Sequence, residues 1–190
     1  MNPLRIFLLA ALVLVVFGMN TSAETEPIAH WSFDEGEGNI AYDSSGNGND
    51  GTLENGPVWV DGIDGNAVYL DGIDDYVSLP EMIDHTFSEF TVSGWIKPAG
   101  VPEEAGVVIF GIVSDGEFMV RLTGPDVAEE LGEVRENPIW IEVKTEDGIW
   151  HRDTLSNTNI TEGVWYHIAG TYSSLEGQVN LYINGTLEYT

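Results

Sequence analysis

Residues 43–54, DSSGNGNDGTLE, decide how the rest of this chain is read. Acid, hydroxyl, amide and glycine alternate through the stretch, and such a run can curl its oxygens around a hard cation. The spacing matches an EF-hand loop. Asp43, Ser45, Asn47, Asn49, Gly51 and Glu54 fall at positions 1, 3, 5, 7, 9 and 12, with Gly48 at position 6. An EF-hand needs a helix on each side. The flanks here are WSFDEGEG (31–38) and NGPVWV (55–60), and neither has helical periodicity. The loop therefore reads as a turn between strands.

Working outward, short alternating apolar runs bounded by Gly, Asn, Asp and Pro recur along the chain. Strands are expected at 28–33, 52–53, 58–60, 67–70, 76–79, 90–97, 106–113, 118–122, 139–143, 149–152, 165–172 and 178–183. Residues 144–148 and 173–177 read as hairpin turns. Asn184-Gly185 reads as a type I′ turn, because both central residues need φ > 0, so Thr186 should open another strand. Residues 126–134, DVAEELGEV, suit a short helix capped by Asp126 or a loop. The expected class is an all-β, antiparallel two-sheet jelly-roll sandwich, truncated before its last strands.

The first 23 residues read separately, as a secretory signal peptide. Arg5 supplies the charge, residues 6–19 the apolar core, and Thr21-Ser22-Ala23 the small residues of a cleavage site before Glu24. The apolar run of 14 residues is shorter than the ~20 that span a bilayer. Residues 24–190 then form a single domain, extracellular or at the cell surface, with no membrane segment of its own. The formal charge is −26, and loss of Arg5 takes it to −27. Nucleic acid and anionic membrane would be repelled. The chain has no cysteine, which excludes disulfides and a lipidated cysteine.

Six motifs in order carry a resemblance: WSFDEGEG, DSSGNGNDGTL, GNAVYLDGIDDYV, FTVSGWIK, WYHIAGTY and GQVNLYING. The chain resembles the laminin-G-like jelly roll of the concanavalin A-like lectin/glucanase group over nearly all of residues 28–190. The resemblance implies the fold and leaves function open, because this fold hosts lectins, adhesins, sugar-binding modules and glycosidases. It also implies a structural Ca²⁺ joining the first strand, the Gly-Asn loop and a closing strand. Carried onto this chain, the metal residues are Asp34, Asp43, Asn47 and Asn49, with Asp43 either ligating or forming an Asx-turn. The closing aspartate is missing, so the site is expected to be incomplete here.

Asp71, Asp74 and Asp75 form a second acidic cluster, read mainly as a strand-to-strand turn and otherwise as a cation or sugar-hydroxyl site. Trp31, Trp95 and Trp165 are expected in the core, and Trp140 and Trp150 as a cross-strand pair. The histidines are scattered and suggest no zinc site. No Glu-x-Asp-x-Glu run, cysteine nucleophile or Gly-x-Ser-x-Gly elbow suggests catalysis. The expected function is non-catalytic binding of carbohydrate or a surface protein within a larger extracellular protein. The rival readings are a polysaccharide-active enzyme with dispersed carboxylates and a structural adhesin or spacer.

Overall fold

The computed structural model describes residues 8–15, 27–80, 89–100, 107–112, 118–124, 137–144 and 150–189. Among these, every regular element is a β-strand. In chain order they begin with β1 (Leu8–Val15), β2 (Ala29–His30), β3 (Ile40–Ala41), β4 (Gly51–Glu54) and β5 (Val58–Asp61). Next come β6 (Asn66–Leu70), β7 (Tyr76–Ser78), β8 (Glu89–Pro98), β9 (Val107–Ile112) and β10 (Phe118–Leu122). The last are β11 (Ile139–Lys144), β12 (Trp150–Leu155), β13 (Tyr166–Ser173), β14 (Gln178–Ile183) and β15 (Thr186–Tyr189).

The strands make an antiparallel jelly-roll sandwich. A large sheet runs β15-β14-β13-β8-β1-β6-β5, with β2 also paired to β1. A second sheet runs β12-β11-β10-β9, and a small one β3-β4-β7. In β8 the buried positions Val92, Gly94, Ile96 and Pro98 alternate with the half-buried Thr91, Ser93, Trp95 and Lys97. That period of two follows from the pleat, and it gives the large sheet an inner and an outer face. Ile96, Ile168 and Leu181 on the inner face share one core with Val120, Ile139 and Ile141 of the second sheet. Each such side chain, fully buried, contributes about 1.5–3 kcal/mol. Phe90 meets Phe118 across the layers in an edge-to-face contact, with centroids 4.8 Å apart.

Most expected strands lie within a residue or two of their sequence positions, and the Asn184-Gly185 turn does lead into β15. Two readings change. Trp140 pairs with Leu155 and Trp150 with Lys144, so the two indoles are not a cross-strand pair. Lys144 already stands opposite Trp150, so Trp140, four residues back along β11, meets the far end of β12 instead. Trp31 is fully buried as expected, but Trp95 and Trp165 are half-exposed and not core. Residues 8–15, read as the apolar centre of a leader, form a strand in the middle of the large sheet. No helix among the described residues is long and apolar enough to cross a membrane. The 126–134 segment, the 144–148 turn beyond Lys144 and the cleavage site before Glu24 lie outside the described residues.

Candidate functional site

Residues 43–54 fold as the connection from β3 into β4, so strands and not helices flank the loop. Gly46 and Gly48 have φ of 88° and 78°, conformations open to glycine and strained for L side chains. The tight curl turns backbone donors inward onto Asp43. Its Oδ1 accepts the N–H groups of His30 and Ser45, each at 2.9 Å. Its Oδ2 accepts the Asn49 N–H at 3.0 Å and lies 2.8 Å from the Ser45 hydroxyl. Burial alone would raise the Asp43 pKa. The hydrogen bonds from His30, Ser45 and Asn49 outweigh it and hold the group at about 2, below its ordinary 3.8. Asn47 and Asn49 turn their side-chain amides onto the Ile28 carbonyl, both at 2.9 Å. The Trp31 indole N–H reaches the Asn49 carbonyl at 2.8 Å.

Asp34 answers to different neighbours. Phe33 takes φ 57°, a left-handed turn that is rare for a bulky residue. Beyond it, Asp34 Oδ1 accepts the Asn66 N–H at 2.9 Å, and the Asn66 amide returns a bond to the Asp34 carbonyl at 3.0 Å. A Cβ on Gly65 would lie 2.0 Å from that carboxylate, so Asp34 packs directly over the β5–β6 turn. Of the four residues named for calcium, Asp43, Asn47 and Asn49 thus gather at the Ile28 segment, while Asp34 is bonded to the β5–β6 turn. Four donors around one carboxylate match its lone-pair capacity, so a cation at Asp43 would compete with protein N–H groups.

Asp71, Asp74 and Asp75 come together more closely than the sequence suggested. They each offer a carboxylate oxygen, and these atoms lie within 4.8 Å of one another. They also make the turn: Asp71 Oδ1 accepts the Ile73 N–H at 2.9 Å and Asp75 Oδ2 accepts the Asp71 N–H at 3.1 Å. The donor set is all oxygen, which suits a hard divalent cation.

The outer face of the large sheet carries the third arrangement. Trp95 on β8 stands opposite His167 on β13, with ring centroids 5.2 Å apart and planes at 64°. Lys97 Nζ lies 5.9 Å from the Trp165 ring centroid, within cation–π range. Burial pushes the His167 imidazole below its ordinary 6.5 and so favours the neutral ring at pH 7. Tyr182, opposite Ala169, extends the aromatic surface onto β14, and Asn180 bonds Thr171 beside it at 3.1 Å. Sequence reasoning missed this surface, although the alternation in FTVSGWIK already put Trp95 in phase with Thr91, Ser93 and Lys97.

Glu142, the buried carboxylate on β11, is held 3.0 Å from Arg121 Nε on β10. The pair neutralises a charge that could not otherwise be buried.

Comparison with known proteins agrees with this architecture. A laminin G model described as the concanavalin A-like lectin/glucanases superfamily matches residues 71–190. Among solved structures, the binding domain of Paraclostridial Mosquitocidal Protein 1 superposes with a TM-score of 0.57 at 20% identity. That match covers 80% of this chain and 39% of the other, so this chain spans well under half of it. At that identity the likeness is one of fold. An S-layer domain-containing protein (residues 221–444) from Clostridium thermocellum shares 34% identity, with a TM-score of 0.49, over 85% of this chain and 70% of its own. No curated protein matches the chain. With the family match spanning most of its length and two antiparallel sheets closing on one core, the chain belongs to the concanavalin A-like lectin/glucanase superfamily.

Proposed function

We propose that this chain is a secreted, non-catalytic binding module that takes carbohydrate on the outer face of its large sheet. The observation that carries the reading is the half-exposed aromatic surface of Trp95, His167, Trp165 and Tyr182 on a regular, rigid sheet. An indole face buries the apolar C–H face of a sugar ring. Thr91, Ser93 and Lys97, on the same face of β8, supply hydroxyls and a cation for the sugar's polar edge. The acidic composition disfavours anionic glycans and favours neutral ones.

A glycan array tests the ligand class, and Trp95→Ala tests the surface. Against whichever neutral glycan binds, Trp95→Ala should weaken affinity at least about tenfold, the effect of losing one stacking contact of ~1.4 kcal/mol. Its melting temperature should stay near that of the parent. An array without glycan hits would remove the carbohydrate reading, and unchanged affinity would remove the surface.

Two further elements belong to the same proposal. Residues 1–23 serve as a secretory leader, so the exported protein should begin at Glu24 by N-terminal sequencing; a chain that begins at Met1 contradicts it. A divalent cation, Ca²⁺ by its oxygen donors, rigidifies the domain. Asp71, Asp74 and Asp75 are its best-gathered ligands. Asp34, Asp43, Asn47 and Asn49 are a second set, in which Asp43 must exchange a protein donor for the ion. Against the enzyme reading stands the engagement of Glu142, a buried carboxylate on β11, which lies 3.0 Å from Arg121 Nε on the neighbouring strand and has no second carboxylate alternating with it along β11. Release of reducing ends from a bound glycan would overturn the non-catalytic reading.

A further inference from the structure

A backbone nitrogen attacks the preceding side-chain amide most readily where asparagine is followed by glycine, which puts no side chain in the way. The chain has three such steps, Asn47-Gly48, Asn55-Gly56 and Asn184-Gly185. All six residues are exposed, so exposure does not separate the steps. Their hydrogen bonds do. Asn47 Nδ2 donates to the Ile28 carbonyl at 2.9 Å, the Pro27 carbonyl at 3.3 Å and the Ser45 hydroxyl at 3.2 Å. Asn55 Nδ2 donates to the Asp74 carbonyl at 2.7 Å. In both, the nitrogen that would leave is the atom that the fold holds.

Asn184 is held by its other end. Its Oδ1 accepts the His167 N–H at 2.9 Å, and its own backbone N–H reaches the His167 carbonyl at 2.8 Å. Among the described residues, none accepts a hydrogen bond from its Nδ2. The donor on Oδ1 draws electron density from Cγ and stands where negative charge develops when a nucleophile adds there. Asn184 and Gly185 are the central residues of the two-residue β14–β15 turn, with φ of 50° and 76°. A Cβ on Gly185 would meet nothing within 4 Å, so its nitrogen is open to solvent base. A Cβ on Gly56 would lie 3.6 Å from Asp75 Oδ1, a carboxylate that repels hydroxide. Ring closure at Asn184 needs the turn to open briefly, and an exposed hairpin tip opens at low cost.

We propose that Asn184 is a self-modification site, the asparagine that this fold sets up to become aspartate or isoaspartate. The Gly185 nitrogen gives its proton to solvent base and bonds to Asn184 Cγ. The Cγ–Nδ2 bond breaks, the nitrogen leaves as ammonia, and a succinimide ring closes. Water then opens the ring at either carbonyl. One opening gives aspartate. The other gives isoaspartate, whose main chain runs through Cγ and is one carbon longer. That carbon falls inside a turn whose length fixes the β14–β15 register. In that register β15 carries a clamp. Glu188 accepts the Asn157 N–H at 2.8 Å, the Thr158 N–H at 3.0 Å and the Thr158 hydroxyl at 2.7 Å, and its carbonyl takes the Asn157 amide at 3.0 Å. Isoaspartate at position 184 therefore pulls β15 away from the 157–158 loop. Aspartate keeps an acceptor for the His167 N–H and leaves the clamp closed. The inference uses neither the carbohydrate surface nor the leader.

The test incubates the full chain in mildly alkaline buffer, once folded and once in urea, and follows each asparagine by peptide mass mapping. In the folded chain, position 184 should take on the mass of an amide turned to acid at least about tenfold faster than positions 47 and 55. In urea the three rates should converge, because the local sequences are alike. A folded rate at 184 no greater than that at 47 or 55 overturns the proposal. A lead of the same size in urea also overturns it, because the preference would then belong to the sequence and not to the fold. The isoaspartate product, resolved by chromatography, should exchange the Asn157 and Thr158 amide hydrogens at least about tenfold faster than the parent. Asn184→Asp, which adds the charge without lengthening the chain, should exchange them at the parent rate. Parent-like exchange in the isoaspartate product would overturn the release of the clamp, and fast exchange in Asn184→Asp would trace it to charge and overturn the register argument.

Discussion

Replacing Asp43 with Ala removes, in one step, the acceptor of the His30, Ser45 and Asn49 N–H groups. Partly buried donors left without a partner cost roughly 1–3 kcal/mol. Denaturant unfolding of Asp43→Ala should show a loss of that order, with Asp43→Asn intermediate because it keeps an acceptor oxygen. The pH dependence has a definite sign. The folded pKa of about 2 lies below the ordinary 3.8, so the carboxylate's contribution is complete above about pH 4 and is lost as the pH falls towards 2. In the Asp43→Asn chain the stability between those limits should fall less steeply than in the parent. Equal slopes would mean that the hydrogen bonds to Asp43 do not favour its ionised form.

Asp43 also shows where residue-level reading reached its limit. The spacing of DSSGNGNDGTLE announced a loop whose oxygens point inward, and an Asx-turn at Asp43 was one of its two readings. That Asn66 would claim Asp34 was not legible, because the two are 32 positions apart and meet only through the β5–β6 turn. A single sequence carries local turn chemistry well and carries pairings across loops poorly.

Among the elements, β8 and β13 were found almost whole from their alternation, and β3 was missed. With two residues, Ile40 and Ala41, β3 is too short to show a period, and it exists only through pairing with β4. The placement of residues 8–15 was not legible either, since an apolar run has no period to separate strand from leader. The close approach of the sheets was hidden for another reason: a glycine inside a strand announces a near neighbour without naming it. Gly170 of β13 is such a case. A Cβ there would sit 2.7 Å from Ile141 Cδ1 and 3.5 Å from Phe118 Cζ. Gly170→Ala should therefore destabilise the domain by about 1–3 kcal/mol, the usual cost of overpacking. Shortening the neighbour with Ile141→Val should recover part of the loss, which a double-mutant cycle in urea can measure. Additive losses from the two substitutions would mean that β13 and β11 are not in contact there.

At the scale of the whole molecule, 32 acidic residues face 6 basic ones. A chain so charged repels itself in the compact state, and simple salt should relieve the repulsion. The melting temperature should climb as NaCl rises towards 0.1 M, where the Debye length is about 10 Å, and then level off. Screening acts on every charge alike, whereas a structural cation acts through a few oxygens. CaCl₂ compared with NaCl at equal ionic strength separates the two. If Asp71, Asp74 and Asp75 gather a cation, CaCl₂ should raise the melting temperature further, because a ligand that binds only the folded state must stabilise it. Asp74→Asn is the informative substitution. The Asp74 backbone carbonyl, not its side chain, receives the Asn55 bond, so that contact survives the change. The substitution should erase the calcium-specific increment and leave the NaCl response in place. Equal melting temperatures in the two salts would mean that the trio is only a turn, and that the domain's acidity serves solubility.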